Sequence, residues 1–328
     1  MSLHASGGSA LTHINTPSKR AIIGLCTHRA VIFTLLFGGT YPEMDTDGRR
    51  ANGLKYECLL FDMDDTLYPM SSGLNLACRK NIEEFMLHHL HIEESEVPRM
   101  CLELYREYGT TMAGLKALGY EFDDDEFHAF AHGRLPYEKL KPDAVLRNLL
   151  LSMPQRKIIF TNADEAHAAE VLKRLGLEDC FEGVICFETL NPPTETANYT
   201  DALDNDAVLA GGEAEHKTLD DAKKESSHSK PRILCKPSLE AIEAAIRIAN
   251  VDPKKTIFFD DSARNIASGK AAGLHTVIVG KSVPVPGADY ALSSIHNIKE
   301  AIPEIWEGEG EQQEQVIQPS AVETVVLA

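Results

Sequence analysis

YECLLFDMDDTLY, residues 56–68, joins an apolar segment directly to a cluster of acids. Cys58 to Phe61 has the length of a buried parallel strand and is too short for periodicity to argue a helix. Asp62, Asp64 and Asp65 follow at once, at what would be the strand's carboxyl end, where open α/β sheets bind their ligands. Crowding like charges there is costly unless a cation answers them. Two plainer readings compete. A run of Asp after a strand is also the ordinary chemistry of a turn or a helix N-cap. A calcium loop starting at Asp62 is excluded, because its glycine position holds Leu67 and its closing Glu position holds Gly73.

With 328 residues, 43% of them hydrophobic, the chain can bury a sizeable core in one large or two modest domains. A formal charge of -18 without a compensating Lys/Arg run argues against a nucleic-acid partner. The seven cysteines are odd in number, scattered and without a C-x-x-C pair, and read as reduced thiols of a cytoplasmic protein. Residues 1–42 contain no Asp or Glu, are rich in Ser and Thr, and carry Lys19, Arg20 and Arg29. That composition is transit-peptide-like, which makes a plastid the alternative location. Met44, just before the acidic linker, offers an alternative start. The apolar part of the leader, Ala30 to Gly38, is too short to span a bilayer, and no membrane partner is expected.

Beyond the first motif, Leu74–His91 and Val97–Tyr108 read as amphipathic helices, with Leu74, Ala77, Cys78, Ile82, Phe85 and Met86 at helical spacing. Gly109, Gly114 and Gly119 are expected to break the next stretch of chain into short pieces. Residues 74–139 are thus a helical insertion, a cap, between the first strand and the next. HGRLPY, residues 132–137, closes it, which predicts Arg134 and Tyr137 near a substrate entrance. Further strands are expected at Lys157–Phe160, Gly183–Phe187, Thr256–Phe259 and Thr276–Val279. Helices are expected at Ala166–Leu175 closed by Gly176, at Lys236–Asn250 with Pro237 in its first turn, and at Ala263–Ala272 stopped by Gly273. This alternation predicts an α/β fold, a Rossmann-like doubly wound parallel sheet with a helical cap inserted after the first strand. Residues 55–73 and 140–306 would form the core, with a leader at 1–54 and a disordered tail at 307–328. Residues 191–230, rich in Pro, Thr, Glu, Asp, Gly and Ser, bury too little apolar surface to offset the entropy of ordering, and are expected to be a disordered acidic insertion.

The polar groups at these strand ends fit one chemistry. Asp62 is suited to attack a phosphoryl group as a carboxylate nucleophile, and Asp64 to protonate the leaving oxygen and then deprotonate water. Asp260 and Asp261 add negative charge to the same edge, so a dianionic phosphate needs a divalent cation, and all-oxygen ligands favour Mg²⁺. Thr161 and Asn162 are suited to donate to phosphate oxygens, and Lys236 to balance the charge. Singly, each has an ordinary explanation as a strand-end hydroxyl, a surface lysine or a helix cap. Their conjunction is less ordinary. D-x-D-x-T at 62–66, then Thr161, Lys236 and Asp260-Asp261 resemble the four motifs of the haloacid dehalogenase-like hydrolases, over residues 56–280. FDMDDTLYP (61–69), YREYGTTMAGLKALGY (105–120), HGRLPYEKLKPD (132–143), IIFTNADEAHA (158–168) and FFDDSARNIASGKAAGLHTVIVG (258–280) are similar to the pyrimidine 5'-nucleotidase-like branch of plants and fungi.

That resemblance implies a Mg²⁺-dependent phosphatase acting on a small phosphomonoester, a pyrimidine nucleoside 5'-monophosphate, through an aspartyl-phosphate on Asp62. It implies that Asp64 meets the metal through its backbone carbonyl, beside Asp62, Asp260 and Asp261, and that the cap closes over the site and chooses the substrate. An Asp at the motif's second acidic position separates phosphatases and phosphomutases from dehalogenases and P-type ATPases. A sugar phosphate or pyridoxal phosphate is the alternative substrate. From another class, the alternative is a non-catalytic binding protein on the same fold, for which loss of Asp62 or Asp64 would speak; both are present. The insertion at 191–230 departs from the pattern and bears on how Lys236, just after it, is held.

Overall fold

The computed structural model describes residues 54–193 and 232–306. The expectations for the leader, for 194–230 of the acidic insertion and for the tail lie outside the described residues. The strands are β1 (Cys58–Phe61), β2 (Arg156–Phe160), β3 (Gly183–Ile185), β4 (Thr256–Asp260), β5 (His275–Val279) and β6 (Tyr290–Leu292). They form one sheet, parallel throughout, in the order β3-β2-β1-β4-β5-β6. Between β1 and β2 come α1 (Leu74–His88), α2 (Val97–Tyr108), α3 (Thr111–Ala117), α4 (Asp124–Ala131) and α5 (Ala144–Ser152). The remaining longer elements are α6 (Glu165–Leu175), α7 (Phe187–Leu190), α8 (Leu239–Ala249) and α9 (Ala263–Ala271).

β1 is central, and alternate side chains serve opposite faces. Leu59 and Phe61 join Ile159, Phe259 and Val277 under Leu146 and Leu150 of α5 and Val171 and Leu172 of α6. Cys58 and Leu60 join Ile158, Phe160 and Phe258 under Ala241, Ile242 and Ala245 of α8 and Ile266 of α9. With helices on both faces the sheet is doubly wound, and β1 has no solvent side, which is why its sequence is an unbroken apolar run. Leu59, Leu60 and Phe61 are fully buried, each contributing about 1.5–3 kcal/mol by leaving water.

Helices α1 to α4 pack around their own apolar cluster, which includes Phe85, Met86, Leu104, Leu115 and Phe127. Gly114 does not break the chain as expected. It lies inside α3, where an added Cβ would stand 2.6 Å from Leu104 Cβ, so it serves close helix packing. Gly109, with φ +93°, does end α2, and a Cβ there would lie 2.4 Å from the Lys236 carbonyl oxygen. The helical segment thereby touches the loop that carries Lys236.

Other boundaries differ from the sequence reading for local reasons. β3 stops at Ile185, because the Phe187 N–H bonds to the Ala163 carbonyl and starts α7. Pro237 precedes α8 rather than sitting in its first turn, the N-cap being Ser238. Asn191, expected to begin the insertion, is fixed in place: its side chain donates to the Leu234 carbonyl at 3.0 Å and accepts from the Leu234 N–H at 2.8 Å.

Candidate active site

Strand register puts the acids together. Phe61 lies level with Ile159 and Phe259, so Asp62 and Asp260 leave the sheet side by side where the strand order reverses, the usual ligand crevice of such sheets. The Asp62 N–H donates to the Phe259 carbonyl at 2.8 Å. The chain then turns through Asp65 at φ +58°, which returns Thr66 to donate its hydroxyl to Asp62 Oδ2 at 2.9 Å. The other oxygen, Oδ1, accepts from Lys236 Nζ at 2.7 Å. Lys236 is 2% exposed, and its Nζ also donates to the Phe160 carbonyl at 2.7 Å and to Asp260 Oδ2 at 2.9 Å. Despite the nearby insertion this lysine is firmly held. Asn162 clamps its backbone, donating to the Lys236 carbonyl at 3.0 Å and accepting from the Lys236 N–H at 2.8 Å.

The Asn162 side chain, expected to donate to phosphate, gives its oxygen and one Nδ2 hydrogen to the Lys236 backbone and keeps its second Nδ2 hydrogen. The Thr161 hydroxyl oxygen accepts from the Ala163 N–H at 3.1 Å, which leaves the hydroxyl proton to donate. Asp260 is oriented by the Ser262 N–H at 2.9 Å and by Asn265 Nδ2 at 2.9 and 3.1 Å. Ligand oxygens of Asp62, Asp260 and Asp261 all lie within 4.8 Å of one another.

One ammonium faces three carboxylates. Burial alone would lower the Lys236 pKa, but Asp260 and Asp62 outweigh it and hold the ammonium charged. For Asp62 burial dominates; Lys236 opposes it, while Asp260, Asp261 and Asp64 add to it, and the pKa is raised. Asp261 is pushed up to about 7, first by burial and then by Asp260 and Asp65. The site is short of positive charge, and its all-oxygen donor set fits a hard divalent cation such as Mg²⁺. Lys236→Met would leave Asp62 and Asp260 buried without their counter-charge, so a loss of about 3–5 kcal/mol is expected in urea unfolding at neutral pH. An unchanged unfolding midpoint would show that the lysine does not hold the pair.

Asp64 stands apart. Its carboxylate is not in the three-acid group; Oδ1 accepts from Tyr68 Oη at 2.5 Å and from His167 Nε2 at 2.7 Å. Burial would raise this carboxyl, but the charge and hydrogen bond of His167 and the Tyr68 hydroxyl outweigh it and hold it down at about 2. His167 in turn meets Tyr137 Oη at 2.7 Å and stacks on His132, which is bonded to Asp164. Of the two residues expected near an entrance, Tyr137 is thus brought to the site. Arg134 is not: it pairs with Glu84 at 2.9 Å on the surface and lies over the Phe130 ring.

A cavity of about 470 Å³ opens between the sheet edge and the helical segment, lined by Asp64, Tyr105, Phe127, His128, His132 and Phe187 among others. Sequence reasoning gave no role to Thr66, Tyr68, His132, His167 or Asn265. Only Thr66 and Tyr68 carried a local signal, four residues after Asp62 and Asp64 respectively. Among the described residues no helix is long and apolar enough to cross a membrane.

No protein-family model matches the chain. It is 32% identical over 132 residues to phosphate metabolism protein 8 of Saccharomyces cerevisiae, a match covering 38% of this chain and 41% of that protein. The chain therefore spans less than half the length of this curated relative. Among solved structures it is similar to a HAD phosphatase from Thermococcus onnurineus, with a TM-score of 0.44 and 16% identity over 74% of this chain and 96% of that one. The magnesium-bound HAD-hydrolase YfnB from Bacillus subtilis gives 0.42 and 18%, covering 75% and 98%. L-2-haloacid dehalogenase from Xanthobacter autotrophicus gives 0.41 and 14%, covering 75% and 97%. At these identities the likeness to the solved structures is one of fold alone.

Proposed function

We propose that this protein is a Mg²⁺-dependent phosphatase of the haloacid dehalogenase-like type, hydrolysing a small phosphomonoester, a pyrimidine nucleoside 5'-monophosphate, through an aspartyl-phosphate on Asp62. The observation that carries the proposal is the treatment of Asp62, whose two oxygens are held by Lys236 and Thr66 beside Asp260 and Asp261. A carboxylate fixed in this way at a sheet's ligand crevice is prepared to attack rather than to cap a helix. The phosphate named in the yeast relative agrees with this reading.

In this reading an Asp62 oxygen forms a bond to phosphorus while the ester P–O bond breaks, and the departing oxygen takes a proton from Asp64, whose carboxyl, held down at about 2, first takes that proton up from solvent. Water then attacks the phosphorus, Asp64 takes a proton from it, and Asp62 and inorganic phosphate are released. The Thr161 hydroxyl and the Asn162 backbone N–H hold phosphate oxygens, while Lys236 balances charge. Asp62, Asp260, Asp261 and the Asp64 carbonyl would hold Mg²⁺, which when bound offsets the negative charge of phosphate and acids. Residues 74–139 act as the cap. The aromatic and imidazole rings along the cavity, Tyr105, Phe127, His128 and Phe187, suit a planar base.

The test is a metal-supplemented screen of nucleotides, sugar phosphates and pyridoxal phosphate. Turnover is expected with Mg²⁺ and is expected to vanish in a chelator, with pyrimidine 5'-monophosphates the best substrates. In parallel, Mg²⁺ is expected to raise the melting temperature of the wild type and not of Asp260→Asn. A better sugar phosphate or pyridoxal phosphate would move the substrate assignment. No hydrolysis with any divalent cation would favour the binding-protein alternative.

A further inference from the structure

We infer that His167 is the positioning residue for Asp64, holding one carboxyl oxygen so that the other faces the substrate; the inference rests on the phosphatase reading above. Both hydrogen bonds that Asp64 accepts, from Tyr68 and from His167, fall on Oδ1. Among the described residues none reaches Oδ2. The Asp64 side chain keeps 35% of its surface exposed, on the wall of the cavity. The terminal torsion of Asp is broad, so an unheld carboxyl would swing its two oxygens through a range of directions. Two donors on one oxygen remove that freedom and leave Oδ2 as the atom that passes the proton to the leaving oxygen.

His167 is built to be rigid. It is 3% exposed, on the first turn of α6, where its N–H bonds to the N-cap carboxylate of Asp164 at 3.3 Å. Since Nε2 faces a carboxylate, that nitrogen carries a proton. Nδ1 meets Tyr137 Oη at 2.7 Å, and the ring stacks on His132 with centroids 4.5 Å apart and planes 27° apart. Tyr137 and His132 come from the end of the helical segment, not from the sheet. The aim of Asp64 therefore depends on groups supplied by the part of the chain that lies over the cavity.

The test compares wild type, His167→Phe, His167→Gln and Tyr137→Phe as full-length proteins with Mg²⁺. Two substrates are used: p-nitrophenyl phosphate, whose leaving group departs without a proton, and cytidine 5'-monophosphate, whose alkoxide needs one. Phe keeps the stacked ring and removes both nitrogens, while the Gln amide reaches the Nε2 position. His167→Phe is expected to lower kcat/KM for the nucleotide by about 10²-fold, the usual cost of a misplaced catalytic group. The loss on the aryl ester should be at least tenfold smaller. The aryl ester should also show a burst of nitrophenolate, because phosphoenzyme breakdown still needs an aimed base. His167→Gln should restore most of the loss, and Tyr137→Phe should show the same pattern more weakly. Should His167→Phe fail to fold, Tyr137→Phe carries the comparison. Equal losses on both substrates without a burst, or no loss on either, overturn the inference while leaving the phosphatase reading intact. A wild type inactive on both substrates, and on the sugar phosphates and pyridoxal phosphate of the screen, overturns the phosphatase reading and this inference together.

Discussion

Asp62→Asn is expected to abolish turnover, a loss on the order of 10⁴-fold or more, and to leave no phosphate on the chain. The substitution is nearly isosteric, and the amide retains an oxygen for Thr66 or Lys236, which now hold the two carboxylate oxygens at 2.9 and 2.7 Å. What disappears is the nucleophile, since a neutral amide does not attack phosphorus at a useful rate. The fold should not suffer. Three carboxylates face one ammonium, and the Asp62 pKa is raised first by burial and then by Asp260, Asp261 and Asp64, against the pull of Lys236. Removing one carboxylate relieves it, so the melting temperature without metal should stay level or rise. Steady-state rates with p-nitrophenyl phosphate and a thermal melt check both halves. Activity above a few per cent of wild type would require another nucleophile.

Asp64→Asn should fail differently. Its carboxylate lies outside the acid cluster and is bonded to Tyr68 and His167, so the substitution leaves Asp62, Lys236 and Asp260 with their present partners. Attack on an ester with a good leaving group should survive, because such a group needs little protonation. Hydrolysis of the phosphoenzyme should slow by about 10² to 10⁴-fold, the usual worth of a general base. A burst of nitrophenolate followed by a slow steady rate is the expected trace. A steady rate near wild type would remove Asp64 from the role.

The contrast between these two acids shows how far the sequence could be read. The strand before Asp62 was legible because burial on both faces leaves no polar position in Cys58–Phe61. Asp62, Thr161 and Asp260 were legible for a related reason, since the polar residue after such a run must stand at the strand's carboxyl end. β6 was not, because its three residues stand alone between Asp289 and Ser293, whereas those of β3, an edge strand of the same length, open a longer apolar run that continues to Phe187. Gly114 looked like a breaker because its partner Leu104 is visible only once two helices pack. The clamp of Asn162 on Lys236 gave no signal because the backbone it holds lies 74 residues away. His167 reads as an ordinary inward position of an amphipathic helix, and its bond to Asp64 spans 103 residues. Contacts of that range leave no local pattern.

Passage of phosphate through Asp62 can be observed directly by mixing Asp64→Asn with p-nitrophenyl phosphate and Mg²⁺, quenching in acid within the burst, digesting, and locating the phosphorylated residue by mass spectrometry. One labile acyl phosphate is expected, on Asp62 in the FDMDDTLYP peptide. None is expected with Asp62→Asn. Phosphate on any other residue, or full hydrolysis by Asp64→Asn with no phosphorylated chain, would contradict it.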